Sequence, residues 1–184
     1  SRLRMQRQSL LSLRVSAATV AMTSAAEADI AAGEQALGQL DYDSAYKHFD
    51  KATKADPASA LAFFGKAEAA LGVPKVEPDE IMGLYKKAIE LDGENPQYRD
   101  ALASFCVDLG RFNEAEEQYN AAAKLDDENA PFYWSEFAVQ YARKAPLIME
   151  QFLDDKTRDM IRQKALTYAL KALGVEKEDA KRLL

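Results

Sequence analysis

The sequence predicts an all-α fold made of stacked helix–turn–helix repeats. Three observations support this prediction. Helix formers such as alanine are abundant, while glycine and proline contribute only eight and six of 184 residues. Apolar residues recur at helical spacing in several segments. A pattern of large and small apolar residues also returns along the chain. Its central aromatic positions, Phe49, Tyr85 and Tyr119, lie 36 and 34 residues apart, which indicates a repeated unit.

The first repeat is assigned to about 26–59. A helix with an apolar stripe is expected from about Ala26 to Leu40, and the turn GQLDY leads into a second helix. The inward positions of this second helix alternate large and small residues, namely Tyr42, Ala45, Phe49 and Ala52.

The second repeat is assigned to about 60–95, and its first helix to Ala60 through Leu71. The loop GVPKVEPDE is two residues longer than the other turns, and Pro74 and Pro78 favour an extended backbone there. The second helix repeats the size pattern with Ile81, Tyr85 and Ala88.

The third repeat, about 96–130, has a first helix from Pro96 to Leu109 and a second helix with Phe112, Ala115, Tyr119 and Ala122 at the patterned positions. In the fourth repeat, about 131–172, a helix is expected over 131–144 because Trp134, Phe137, Ala138 and Tyr141 share one helical face.

Residues 144–157 replace the short turn in the fourth repeat, and a helix resumes at about Arg158. Gly174 is expected to end that helix. Residues 173–184 are predicted to cap the stack, because the last repeat of such an array otherwise exposes an apolar face.

These positions resemble the motif of the tetratricopeptide repeat family. The resemblance covers about 26–172 and implies a right-handed α–α superhelix of about three and a half to four repeats with a C-terminal capping helix. Small residues are expected where the two helices of one repeat cross closely. The residues that carry the resemblance are Leu102, Ala103, Gly110, Phe112, Ala115, Tyr119 and Ala122 in repeat three, and Gly33, Tyr42, Ala45, Phe49, Ala52 and Pro57 in repeat one.

Residues 1–25 are predicted to be a basic N-terminal leader or arm outside the repeats. Residues 1–26 contain four arginines and no acidic residue, and they are rich in serine and alanine. This composition is typical of organelle import leaders and favours a plastid over a mitochondrion. The alternative is a disordered tail or an expression remnant, with a cytoplasmic location.

The rest of the chain is acidic. Because the whole sequence carries a net charge of −6, residues 27–184 carry −10. Such a body has no electrostatic reason to bind nucleic acid. No apolar run approaches the roughly 20 residues of a transmembrane helix, although a place at the periphery of a membrane complex stays open.

No motif predicts catalysis, a cofactor or a metal site. His48 is the only histidine and is expected at the surface, while Cys106 and Trp134 are expected in the core. The sequence also lacks a phosphate-binding loop, a dinucleotide-binding turn and a His/Cys cluster with metal spacing. We therefore expect a non-enzymatic protein.

Binding of another protein is the expected function. The first helix of each repeat should leave one face toward the inner curve of the superhelix, forming an apolar groove with acidic points that suits a basic or amphipathic segment. The predicted groove residues are Ile30, Glu34, Leu37, Phe64, Glu68, Leu71, Asp100, Ser104, Val107, Asp108, Ser135 and Val139.

Two roles are compatible with this groove: an adaptor or assembly factor, or a structural subunit of a larger organelle complex anchored by the N-terminal arm. A third use of the family is not expected here. Its chaperone-binding members clamp a C-terminal carboxylate with basic residues, and the corresponding positions are Ile30, Glu34, Gln97 and Ala101. None of these is basic, and Glu34 would repel a carboxylate.

Overall fold

The computed structural model describes residues 25–175 and residue 179. These residues form eight α-helices and one short 3-10 helix, and no strand occurs among them, so the all-α prediction is confirmed. The described part of α1 covers residues 25–38. The others are α2 (Tyr42–Ala55), α3 (Ala60–Ala70), α4 (Pro78–Leu91), α5 (Pro96–Asp108), α6 (Phe112–Leu125), α7 (Ala130–Ile148) and α8 (Asp155–Ala172).

The chain divides into two compact units between Leu91 and Asp92. In the described residues, unit 1 contains α1–α4 and unit 2 contains α5–α8. None of the described helices is long and apolar enough to cross a membrane.

Short polar side chains cap the starts of α2 and α3 in unit 1. The side chain of Asp41 accepts a hydrogen bond from the backbone N–H of Ser44 at 3.1 Å, and Ser59 caps α3 in the same way through Ala62 at 3.2 Å. Each cap satisfies one of the backbone donors that a helix start leaves without a partner. The turn before α2 contains Leu40 at φ 60°, a left-handed conformation that is uncommon for leucine.

The core of unit 1 forms where α1, α2 and α3 meet around Phe49. The predicted inward positions Ala45, Phe49 and Ala52 are all buried. A Cβ atom added to Gly33 would lie 2.8 Å from the Phe49 ring, and one added to Gly65 would also overlap it. The aromatic ring therefore fills the space that the two glycines leave open.

The core of unit 2 follows the same size pattern. Ala115, Tyr119 and Ala122 are fully buried, as predicted, and Cys106 is also buried in the core. Gly110 adopts φ +72° between α5 and α6, and the N–H of Arg111 donates to the carbonyl of Cys106 at 2.8 Å, which closes the turn.

The fourth repeat differs from its prediction. Helix α7 continues to Ile148 instead of ending near residue 144, even though Pro146 lies inside it. This proline sits in the last turn, where its missing N–H removes only one bond of the helix. A 3-10 helix (Glu150–Phe152) follows, and α8 begins at Asp155 because Asp154 caps it by accepting from the Thr157 N–H at 2.7 Å.

The prediction for Pro78 is wrong, and the predictions for the two ends of the chain are not tested. Pro78 does not extend the loop of repeat two, because it is the first residue of α4, where its fixed φ suits a helix start. The capping segment 173–184 and the N-terminal arm 1–25 lie almost wholly outside the described residues, so they stay predictions.

Candidate binding site

The described residues hold no metal-binding cluster. No three His, Cys, Asp or Glu side chains among them are placed to hold a metal ion. His48 is less exposed than the sequence predicts, because its Nδ1 lies 2.9 Å from Asp29 Oδ1 and joins α2 to α1. Its side chain remains 32% exposed.

Unit 1 contains a concave site between α1 and α3, which we call the unit 1 cavity. It has a volume of about 510 Å³ and is lined by Leu37, Tyr42, Glu68, Leu71 and Gly72. Three of these residues, Leu37, Glu68 and Leu71, were predicted as groove residues. The structure brings them together, and Leu71 is 51% exposed at the edge.

A neighbouring tyrosine fixes the carboxylate of the unit 1 cavity. The hydroxyl of Tyr85 donates to Glu68 Oε1 at 2.6 Å. Burial raises the pKa of Tyr85 far above its ordinary value, and the negative charge of Glu68 raises it further. The hydroxyl therefore stays protonated and keeps donating. Among the described residues, no side chain donates to the other oxygen of Glu68, so this oxygen can accept from a ligand.

The other predicted residues of unit 1 are partly used in its own packing. Ile30 and Leu37 pack against the core cluster around Phe49, and Phe64 lies 6.1 Å from the Tyr85 ring, measured between ring centroids. Glu34 is exposed on α1. The free part of the predicted groove in unit 1 is thus narrower than the sequence indicates.

In unit 2, the predicted acidic point Asp100 lies in a polar region. Asp100 is half-buried, and its pKa is raised first by burial and then by the negative charge of Glu136. Beside it, Gln140 donates to Glu136 Oε1 at 2.6 Å and to the Tyr119 hydroxyl at 3.1 Å. Ser104 lies within 3.5 Å of Gln140. This arrangement concentrates negative charge at a half-buried place.

The remaining predicted residues of unit 2 have different surroundings. Asp108 forms an ion pair with Lys144, and the Ser135 hydroxyl donates to the Phe132 carbonyl at 2.8 Å. Val107 has no exposed surface, so the prediction that it lines a groove is wrong. A valine at this position belongs to the core of unit 2.

Sequence reasoning missed a concave feature of unit 2, which we call the α7–α8 groove. It has a volume of about 720 Å³, and of its residues only Val139 was predicted to belong to a binding surface. The missed signal is the continuation of α7 past residue 144, which lengthens the helix pair. The lining residues are Ala138, Val139, Ala142, Pro146, Leu153, Arg158, Ile161, Arg162, Ala165, Leu166 and Ala169.

Comparison with known proteins agrees with this architecture. Residues 96–129 match the tetratricopeptide repeat model. A protein of Dictyostelium discoideum named "Protein STIP1 homolog" is 34% identical over 112 residues, which cover 60% of this chain and 19% of that relative. The chain thus corresponds to a small part of this longer protein.

Solved structures share the fold at low sequence identity. The Arabidopsis OM64 TPR domain superposes with a TM-score of 0.57 at 20% identity and covers 63% of this chain and 96% of its own. YrrB, a TPR protein with an unusual peptide-binding site, gives a TM-score of 0.58 at 19% identity, with 87% of this chain and 74% of YrrB covered. Pseudomonas aeruginosa PilF gives 0.57 at 21% identity, with 88% and 74% covered. Residues 96–129 are thus a tetratricopeptide repeat, and the patterned core and the shared fold support the resemblance to this family over the other described helices.

Proposed function

We propose that this chain is a non-catalytic protein-interaction module that binds an apolar or amphipathic segment with interspersed basic residues. The observation that carries the proposal is the unit 1 cavity, where Leu37 and Leu71 flank a carboxylate that Tyr85 holds in place. A fixed carboxylate between apolar side chains suits a lysine or arginine whose neighbours are apolar. Members of this family generally mediate protein–protein interaction, which agrees with such a role.

The half-buried pair of Asp100 and Glu136 in unit 2 supports the same ligand chemistry. Burial and then the negative charge of Glu136 raise the pKa of Asp100, and a cation placed near the pair would offset both effects. The net charge of −10 over residues 27–184 would also attract a basic segment at a distance. In this proposal, charge sets partner choice and association rate, while apolar contacts slow dissociation.

The proposal can be tested with two fluorescein-labelled peptides that share a leucine pattern and carry lysine or glutamate between the leucines. We expect the full chain to bind the lysine peptide at least tenfold more tightly in a fluorescence anisotropy titration. The double variant Glu34→Lys/Glu68→Gln should remove most of this preference and flatten its salt dependence. Glutamine still accepts from Tyr85, so the packing around it is retained.

Two further variants complete this test. Leu71→Ala should mainly speed dissociation, because Leu71 is an exposed apolar residue of the cavity. Glu117→Lys, which reverses an exposed charge on the outer side of α6, is the matched control and should have little effect. If Glu34→Lys/Glu68→Gln binds the lysine peptide as tightly as the unchanged chain does, the unit 1 cavity is not the binding site.

The location of the protein is a separate proposal that rests on sequence alone. We propose that residues 1–25 direct import into an organelle, with a plastid favoured, because they are basic, free of acids and rich in hydroxyl residues. Fusion of residues 1–26 to a fluorescent protein should give an organelle signal in plant cells. A purely cytosolic signal in plant and yeast cells would exclude the import role.

A further inference from the structure

The α7–α8 groove is a repeat face that the described part of unit 2 leaves uncovered. Ala103 in α5 and Ala138 in α7 hold the same position in their repeats, so Val107 corresponds to Ala142. Val107 is fully buried, whereas Ala142 is exposed. Val139, in the same groove, is 62% exposed. The same repeat position is therefore core in one helix pair and open surface in the next.

Unit 2 itself shows what covers such a face. Helix α7 packs against both α5 and α6. The ring of Tyr141 lies edge-on to Phe112 with centroids 5.0 Å apart, and Lys144 pairs with Asp108. A helix with an apolar face and charged flanks thus covers the preceding helix pair. An amphipathic helix is the matching occupant for the pair α7 and α8, because each pair of a repeat array presents a similar face to its successor.

The charge of the groove selects among such helices. Its ionisable lining residues are Arg158 and Arg162, which lie four residues apart on one face of α8. In the described part of the chain, the guanidinium of Arg158 has no hydrogen-bond or ion-pair partner. Arg162 pairs only with Asp159, at 3.1 Å, and both side chains are largely exposed, so this pair is weak. The groove therefore favours acidic residues at its rim.

The chain's own termini match the groove poorly. Residues 1–25 carry four arginines and no acid, so Arg158 and Arg162 would repel them. Residues 176–184, part of the segment predicted to cap the stack, carry three acidic and three basic side chains, so they offer no net negative charge to Arg158 and Arg162.

We propose that the α7–α8 groove binds an amphipathic α-helix of a partner protein, with two acidic residues one turn apart that meet Arg158 and Arg162. The apolar stripe of this helix packs on Ala142, Leu166 and their neighbours, as α7 packs on the preceding pair. This surface prefers an acidic helix, whereas the function proposed above concerns a basic segment. The two proposals can therefore fail independently.

The test uses a fluorescein-labelled peptide of about fifteen residues with leucines at helical spacing and two glutamates four residues apart. A matched peptide carries lysines in place of the glutamates. We expect the full chain to bind the glutamate peptide about tenfold more tightly by anisotropy. The variant Arg158→Glu/Arg162→Glu should reverse this preference. Arg143→Glu, an exposed α7 residue outside the groove, is the control and should retain it.

Further variants separate the possible occupants. Ala142→Glu should abolish binding of both peptides at unchanged helix content, because it places a charge on the groove floor. Equal binding of both peptides by the unchanged chain would overturn the proposal. So would a more than tenfold gain in affinity on Leu183→Glu/Leu184→Glu, since the chain's own terminus would then occupy the groove. If the unchanged chain sediments as a dimer and Ala142→Glu sediments as a monomer, a second copy of the chain occupies the groove. That result would also overturn the proposal.

Discussion

The first repeat, in unit 1, and the third repeat, in unit 2, use the same core position in chemically different ways. In repeat one that position is Phe49, whose ring fits against Gly33 and Gly65 and packs with Ala36 and Ala69. In repeat three it is Tyr119, which is equally buried, but its hydroxyl accepts a hydrogen bond from Gln140 at 3.1 Å. The repeat pattern therefore determines where an aromatic ring packs, and the neighbouring helices determine whether a ring hydroxyl finds a hydrogen-bond partner.

The difference extends through unit 2. The rings of Phe137 and Tyr168 meet edge-on with centroids 4.7 Å apart, and the Tyr168 hydroxyl donates to Glu116 Oε1 at 2.7 Å. Asn120 donates to the same hydroxyl at 2.8 Å. Buried polar groups are costly unless they are paired, so this network fixes the arrangement of α6, α7 and α8 more specifically than apolar contact does.

Exchanging the chemistry of the two aromatic positions tests this comparison most strongly, and Phe49→Tyr should have the largest effect. The new hydroxyl would enter the space between Gly33 and Gly65, where the ring already fills the available room. Overpacking and an unpaired buried hydroxyl together should lower the free energy of unfolding by about 2–4 kcal/mol. Urea denaturation followed by circular dichroism measures this loss.

Phe152→Tyr is the matched control for that change, because Phe152 is largely exposed and a hydroxyl there meets water. It should alter stability by less than about 0.5 kcal/mol. Equal stability of Phe49→Tyr and Phe152→Tyr would mean that the Phe49 pocket has room for a hydroxyl group. The contrast between Phe49 and Tyr119 would then disappear.

The second change, Gly65→Ala, tests the close fit of the glycine itself. The added methyl would overlap the Phe49 ring, at a cost of about 1–3 kcal/mol that the higher helix propensity of alanine offsets only in part. Gly83→Ala is the control, since Gly83 lies in α4 with open space around its Cβ position. This control should gain about 0.5–1 kcal/mol. Thermal unfolding of both variants should shift in opposite directions, and shifts of the same sign would contradict the close contact.

These two predictions depend on a fit that the sequence shows only in part. Residue size and spacing placed Phe49 at an inward position, and the resemblance to the repeat motif singled out Gly33. It gave no sign that Gly65, in the next repeat, shares the same ring. Such a contact follows from how α3 crosses α2, and that crossing is a property of the folded chain.

The polar features of the candidate site were harder to predict for a related reason. The Tyr85–Glu68 and Tyr119–Gln140 hydrogen bonds join different helices, 17 and 21 residues apart in the chain. Helical periodicity says which face a residue occupies but not which partner faces it. Val107 shows the same limit: its face was placed on the groove, and only the packing of unit 2 shows that it is covered.

Tyr119→Phe is the converse of the first change and should have a smaller effect. It removes the hydroxyl that accepts from Gln140, but Gln140 still donates to Glu136 Oε1 at 2.6 Å. We expect a loss of about 0.5–1.5 kcal/mol in urea denaturation. A loss as large as that of Phe49→Tyr would mean that the position of Gln140 depends on the tyrosine hydroxyl. The hydrogen bonds of this network in unit 2 would then be cooperative.

The smallest effect is expected from Asp100→Asn, which tests the charge next to that network. In the folded chain, burial and Glu136 raise the pKa of Asp100 above its ordinary value of 3.8. The folded state therefore binds this proton more tightly than the unfolded state, so stability falls as the pH rises from 3.8 through the folded pKa. Above that range the cost of the charge is constant.

Asparagine cannot ionise, so Asp100→Asn should be more stable than the unchanged chain at neutral pH. Solvent screens a half-buried carboxylate, which keeps the gain below about 1 kcal/mol, or roughly 2–4 °C in Tm. The gain should shrink as the pH falls toward 3.8, where the unchanged chain also carries a neutral side chain. The difference in Tm between the two proteins across pH 3.5–8 measures this, with the exposed Glu117→Gln as a control that should show no gain. A gain that stays constant with pH would show that the amide improves packing, and that Asp100 carries no electrostatic strain for a basic ligand to relieve.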